Sequence, residues 1–311
     1  MDVDSAAAAL RSGLLVGMPT ETVYGLAADA LDAQAVLRVF AAKGRPSFDP
    51  LIVHVADVEE AWAVAEPSPR ARRLAERFWP GPLTLVLPRR ACVPDVVTSG
   101  LVTVGVRCPD HDLARALIRA AGRPLAAPSA NRFGRISPTT AAHVTEQLGS
   151  EIAGVLDGGP CRVGVESTVL LPDPMPLILR PGGITREALA DFLGEPVSLA
   201  GREQRAENLP AQAPGMLASH YAPRTPMSLR EGDWPVAPHI ARLAFRAAPP
   251  AGGPTAILSP SGDLAEAAAN LFAYLRRLDA SGAAHIVAEL VPAEGLGLAI
   301  NDRLVRAAGR G

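Results

Sequence analysis

LTLVLPRRACVPDVVTSGLVTVGVRCPDHDLARALIRAAGRPLAAPS, residues 83–129, decides the fold class. The runs LTLVLP (83–88), LVTVGVR (101–107) and PLAAPS (124–129) read as strands: short, apolar and bounded by Pro, Gly, Ser and charged residues. Residues 110–121 between the second and third carry apolar positions at helical spacing, and Asp110 stands where a cap would. Only turn-type sequence separates the first and second runs. Strands joined by a turn on one side and a helix on the other predict a mixed sheet in an α/β fold, rather than a purely parallel one.

The same alternation extends in both directions. LLVGM (14–18), LIVHVA (51–56), VESTVLL (165–171) and PLILR (176–180) read as further strands. Segments 33–43, 69–78, 138–149 and 185–193 read as helices, with Ser137-Pro138 expected to open the third. Residues 1–200 are therefore expected to form one α/β domain. Pro196, Pro210, Pro214, Pro223 and Pro226 break the regularity and mark a linker over 201–226. Residues 227–311 predict a small α/β unit with strands at 255–260 and 285–291, a helix over 263–278 and a terminal helix from about 294.

Composition limits function. The 311 residues are 48% hydrophobic and 20% charged, enough to bury a core. No apolar run reaches membrane-spanning length, and Asp2 and Asp4 precede the first Arg, unlike a secretion signal, so the expected location is the cytoplasm. Cys92, Cys108 and Cys161 form no CxxC, and the six histidines have no ligand spacing, so no protein-built metal site is expected. A net charge of −2 and 4% aromatic residues argue against a general nucleic-acid binder, and no basic patch is expected beyond the candidate ligand-binding motifs set out below. Of thirty basic residues only Lys43 is a lysine, which singles out a position suited to a compact ammonium rather than a planar guanidinium.

Several short motifs carry polar chemistry. PTETVYGLAADA (19–30) clusters Thr20, Glu21, Thr22 and Tyr24 after a strand, where α/β folds place ligands; its plainer reading is a polar turn hinged at Gly25. In KGRPSFDPLIVHV (43–55), Lys43 and Arg45 bracket a glycine and suit a phosphate-rich anion, although the order is not that of a Walker loop. Alternation in the following strand puts Ile52, His54 and Ala56 on one face. APSANRFGRISPTTAAHV (127–144) places Ser129 and Asn131 after a strand, and Ser137 before the free amides of an expected helix. Thr103 and Arg107 share a strand face. Ser167, Thr168, Arg180 and the His-Tyr pair of HYAP (220–223) complete the set.

In order along the chain, PTETVYGL, KGRP…PLIVHV, PGPLTLVL, VGVRCPDH, APSANRFG, STV, LRPGG and HYAP resemble the threonylcarbamoyl-AMP synthase family, in its two-domain form with a YrdC-type catalytic domain. The resemblance spans about the first 226 residues. It implies a twisted mixed sheet enclosing a cavity, followed by a linker and a small Rossmann-like domain. It also implies a nucleotidyl transfer in which L-threonine, bicarbonate and ATP, with Mg2+ carried on the ATP, give threonylcarbamoyl-AMP and pyrophosphate. That product serves other proteins that modify tRNA, and direct tRNA binding is not expected.

By the same resemblance Lys43 and Arg45 hold phosphates and act catalytically. Asp49, Thr103, Ser129, Ser137, Arg180 and Tyr221 join Arg45 on the ATP side. Thr22, His54, Arg107, Ala127 (through its backbone) and Ser167 form the threonine and carbamate pocket, the fork of Arg107 suiting a carboxylate. Tyr221 would bring the linker over the nucleotide as a lid. Asp49 departs from the Asn common in the family, and Leu217-Ala218-Ser219 from its basic and aromatic residues before HYAP. The competing readings are a carbamoyl-adenylate-forming enzyme and a non-catalytic RNA-binding module.

Overall fold

The computed structural model describes residues 1–46, 48–201, 221–247 and 252–309. Strands β1 (Val16–Met18), β2 (Gly25–Asp29), β3 (Ile52–His54), β4 (Leu83–Pro88), β5 (Thr103–Arg107), β6 (Leu125–Ala126), β7 (Gly154–Val155), β8 (Thr168–Leu171), β9 (Leu177–Arg180) and β10 (Ser198–Leu199) form one sheet. Its order is β10-β9-β8-β4-β5-β3-β6-β2-β1-β7. β4 and β5 are antiparallel, joined by a connection that holds a short helix at Asp95–Thr98 rather than the expected turn alone, whereas β3 and β5 are parallel, so the sheet is mixed as expected.

The helices among the described residues are α1 (Val3–Arg11), α2 (Ala33–Lys43), α3 (Val58–Val64), α4 (Pro69–Phe78), α5 (Asp95–Thr98), α6 (Asp112–Ala121), α7 (Ala141–Leu148), α8 (Arg186–Leu193), α9 (Leu264–Asp279) and α10 (Gly297–Ala308). α2 and α4 run over the expected residues. Asp32 caps the first, and Ser68 with Pro69 opens the second. The principal core lies between the sheet and α2, α3, α4 and α8, and a second cluster lies under α1 and α6.

Two expected caps are corrected. Ser137-Pro138 does not open α7. Pro138 and Thr139 instead give their carbonyls to the backbone N–H groups of Tyr24 and Cys161, and the helix starts after Thr140, whose hydroxyl caps His143 N at 3.3 Å. A local Ser-Pro signature lost here to tertiary backbone pairing. Nor does Asp110 cap α6. It pairs with Arg162 at 2.6 Å, and His111 occupies the cap position without a side-chain bond.

β2 carries no strand signal in the sequence. The segment GLAAD is wholly buried and built from small residues, so it shows no alternation. Beyond the linker, strands β11 (Met227–Leu229), β12 (Ile240–Ala244), β13 (Thr255–Ile257) and β14 (His285–Ala288) form a four-stranded parallel sheet, in the order β11-β14-β12-β13. It packs with α9 and α10 around its own core. The first two of these strands were not read from sequence. The expected linker lies outside the described residues over 202–220. No helix among the described residues is long and apolar enough to cross a membrane.

Candidate active site

A cavity opens where several strands of the large sheet end. β3 brings Ile52 and His54, β5 brings Arg107 as the register partner of His54, and β9 ends in Arg180. The turn before β2 supplies Thr22, a bridge between Gly25 and Ser129 holds the loop after β6 beside it, and Ser167 stands just before β8. Of the thirteen residues expected at the site, nine line this one cavity: Thr22, Arg45, His54, Arg107, Ala127, Ser129, Ser167, Arg180 and Tyr221.

The threonine-side group is held by its own bonds. The Thr20 hydroxyl donates to Val23 O at 2.6 Å and lies 2.9 Å from that of Thr22, which fixes the turn. His54 is 3% exposed, with Nδ1 3.2 Å from Ile52 O. Burial, and then the charge of Arg107, push its imidazole down to about 3, so it is neutral at pH 7. Arg107 is not a wholly open fork. Its Nη2 pairs with the buried Glu21 carboxylate at 2.5 Å and its Nε donates to Gly81 O at 3.3 Å. The expectation of a two-pronged carboxylate clamp is therefore corrected to a guanidinium already half committed.

On the other side, Arg45 pairs with Asp49 at 2.8 Å and donates to the carbonyls of Asp49 and Pro50. Asp49 is fully buried and its charge is met by Arg45, so the added carboxylate is neutralised within the wall rather than aimed at the cavity. Arg180 Nη2 donates to Ser167 O at 3.0 Å and to Ser167 Oγ at 3.2 Å, and that hydroxyl lies 2.8 Å from Thr84 Oγ1. Tyr221 takes a left-handed φ of 66°, is 1% exposed, and stacks on Phe272 of α9 at 5.7 Å. The tyrosine expected on a mobile lid is thus packed into the core of the second unit while lining the cavity of the first.

Four expected residues stand outside the lining. Lys43 ends α2 and its ammonium donates to the carbonyls of Ser129 and Asn131, so it clamps the loop behind the cavity. Burial, and then Arg45, hold that ammonium well below its ordinary value, with Asp49 opposing. Thr103 starts β5, opposite Pro88, at the strand end away from Arg107. Ser137 donates to Glu166 Oε1 at 2.6 Å. Asp49 is the fourth.

Sequence reading missed Glu166, which lines the cavity, and its partner Arg303 from α10, Nε to Oε2 at 2.9 Å. A signal for Arg303 existed: it sits on the buried stripe Ile300, Leu304, Ala307, where an aliphatic residue would ordinarily stand. Burial pushes the Glu166 carboxyl up, but Arg303, Arg180 and the Ser137 hydroxyl outweigh it and hold the group below its usual range.

Neither buried thiol lines the cavity, and burial pushes both Cys108 and Cys161 up to about 12, too high for a thiolate nucleophile near neutrality. Among the described residues no group of three or more His, Cys, Asp or Glu could hold a metal ion. A second cleft lies between the two units, lined by Arg132, Arg135, Arg224, Arg276 and Arg277 with Glu146 and Asp279. It corrects the expectation of no basic patch beyond the pocket.

Buried guanidinium groups beside small polar side chains, at the strand ends of a mixed sheet, suit an α/β enzyme that binds an anionic substrate and a small polar one. Comparison with known proteins gives the family. Residues 8–182 match the family model described as "Telomere recombination", and 184–309 match "Threonylcarbamoyl-AMP synthase, C-terminal domain". The Bacillus subtilis threonylcarbamoyl-AMP synthase is 44% identical over 99% of this chain and 93% of its own length. That of Pyrococcus abyssi is 45% identical over 98% and 93%. The crystal structure of P. abyssi Sua5 complexed with L-threonine superposes with a TM-score of 0.89 at 41% identity, over 99% of this chain and 94% of that one. The chain belongs to the threonylcarbamoyl-AMP synthase family.

Proposed function

We propose that this chain forms threonylcarbamoyl-AMP and pyrophosphate from L-threonine, bicarbonate and ATP. The observation that carries the reading is the convergence of nine expected residues, from both halves of the proposed site, on one cavity. The threonine amine takes up bicarbonate carbon as a carbamate, with loss of water. A carbamate oxygen then attacks the α-phosphorus, the bond to the β-phosphate oxygen breaks, and pyrophosphate leaves with the electron pair. No protein nucleophile takes part. The protein's contribution is positioning and charge.

Thr22, His54, Arg107, Ser167 and the backbone of Ala127 hold threonine and its carbamate. The P. abyssi structure complexed with L-threonine supports that half by overall likeness. Arg45, Ser129, Arg180 and Tyr221 take the nucleotide, with Asp49 and Ser137 behind them and Thr103 farther off at the other end of β5, and Lys43 acts by fixing the loop that carries Ser129. Mg2+ enters with ATP as part of the substrate. The labile product passes to a transferase that modifies tRNA, in the cytoplasm. Residues 1–200 carry the chemistry, 201–226 link, and 227–311 form the second domain.

Pyrophosphate release from Mg-ATP, measured with and without L-threonine and bicarbonate, tests this. Release requiring both supports the synthase, and release without threonine points to a carbamoyl-adenylate-forming enzyme or a hydrolase. The arginine-lined cleft favours a second reading, an RNA-binding module. RNA binding with a steep salt slope and no ATP turnover would establish that one instead.

A further inference from the structure

α10 closes the chain far from the cavity in sequence, yet one of its side chains reaches the cavity wall. Arg303 is fully buried. A guanidinium is removed from water at high cost unless its donors find partners, and the partners of Arg303 come mostly from the other unit. Its Nε donates to Glu166 Oε2 at 2.9 Å, and its Nη1 to Pro181 O and Asp302 Oδ2 at 2.8 and 2.9 Å. Its guanidinium carbon lies 5.2 Å from the centre of the Tyr221 ring. The second oxygen of Glu166 accepts from Ser137, and Pro181 directly follows Arg180. Arg303 therefore touches, directly or through one residue, the nucleotide half of the proposed site. None of its contacts reaches Thr22, His54 or Arg107.

We propose that Arg303 is a positioning residue for the nucleotide: it cancels the charge of Glu166 in the cavity wall and fixes Glu166, Ser137 and Tyr221, so the second domain completes the ATP site. This rests on the synthase reading above. A bare carboxylate in that wall would repel a triphosphate at short range in a poorly screened setting. Paired with Arg303, the same carboxylate becomes a neutral scaffold that orients a hydroxyl. Thr22, His54 and Arg107 are held by separate contacts, and only Ser167, which follows Glu166 and is held by Arg180, links the threonine half to the pair, so threonine affinity should change far less than ATP affinity.

The test uses the full chain and four variants: Arg303→Gln, Arg303→Lys, Glu166→Gln and the double Arg303→Gln/Glu166→Gln. Thermal unfolding checks folding. KM for ATP and for threonine are read separately from threonine- and bicarbonate-dependent pyrophosphate release, and Mg-ATP binding is read directly by calorimetry. Arg303→Gln is expected to raise the KM and Kd for ATP tenfold or more, with the KM for threonine within twofold. Arg303→Lys should fall between. The double variant should recover ATP affinity to within about threefold of Glu166→Gln, because the uncompensated charge is gone.

Equal loss toward both substrates, a loss in kcat alone, or a double variant no better than Arg303→Gln would reduce Arg303 to a structural residue. Should Arg303→Gln not fold, the double variant against Glu166→Gln carries the same comparison: a tenfold gap between them overturns charge cancellation. Wild-type protein without threonine-dependent release would sink the synthase reading and leave the calorimetric arm to decide this one.

Discussion

His54 shows how one buried side chain ties stability to pH. Its ordinary value is near 6.5 and burial brings it to about 3, so the folded protein keeps it neutral where the unfolded chain protonates it. Between these values the unfolded state holds the extra proton. The stabilisation is complete above about pH 6.5 and declines as pH falls toward 3, by up to about 1.4 kcal/mol per pH unit. Urea unfolding at pH 7 and pH 4.5 is expected to show a smaller drop for His54→Gln than for wild type. The difference between the two isolates His54 from the half-buried His143, which burial also lowers, to about 4.

Asp49 carries a second expectation at the same scale. Asp49→Asn removes the ion partner of Arg45 but leaves the guanidinium its two carbonyl acceptors. The KM for ATP should fall, because Arg45 then meets phosphate with its charge uncompensated. Folding stability should fall by about 3 kcal/mol, the scale for breaking a buried pair. An unchanged KM for ATP would show that Arg45 does not face phosphate.

At the level of elements, the turn after β9 makes the sharpest demand. A Cβ on Gly182 would lie 2.3 Å from Glu166 O and from the backbone of Ser167 and Thr168, none of which can swing aside. Gly182→Ala must therefore push the turn away from the strand entry that carries Ser167, costing about 3 kcal/mol or more. Gly44, the left-handed cap of α2 at φ +60°, meets nothing within 4 Å, so Gly44→Ala costs only about 1–2 kcal/mol of backbone strain. Chemical denaturation of the two variants checks the ranking, and activity should suffer more in the first.

Elements were legible in proportion to how far local chemistry decided them. α2, α4 and β4 carry their own periodicity or apolar run and, for the helices, their own caps, and they form where the sequence puts them. β2 is small and uniformly buried, β7 and β10 are two residues long, and none has a local signal. They exist because neighbouring strands supply their hydrogen-bond partners.

For the whole molecule, metal removal separates a resident ion from one carried by substrate. A chelator should abolish turnover, restored by Mg2+, while leaving the unfolding temperature of the nucleotide-free chain unchanged, since no described cluster could hold the ion. A fall in that temperature would reveal a structural site. The two units also share polar anchors: Arg276 of α9 donates to Ile136 O at 2.5 Å, and Arg303 of α10 meets Glu166. Their unfolding should therefore be a single transition, against which calorimetry showing two would count.

Local sequence carried the mixed α/β class, most of the helices and nine of the residues that line the cavity, because periodicity, caps and the motif blocks are local. It also carried His54, Arg107 and Arg180 as candidates. Which of them face one cavity, and which stand behind it, was decided by register and packing alone. The ammonium of Lys43 turns to two carbonyls, Glu21 already holds Arg107, and Asp49 is cancelled by Arg45. The contribution of the last helix belonged wholly to the tertiary structure. A buried charge 137 positions from its partner leaves no local pattern, and only the cost of leaving either group unpaired brings the two together.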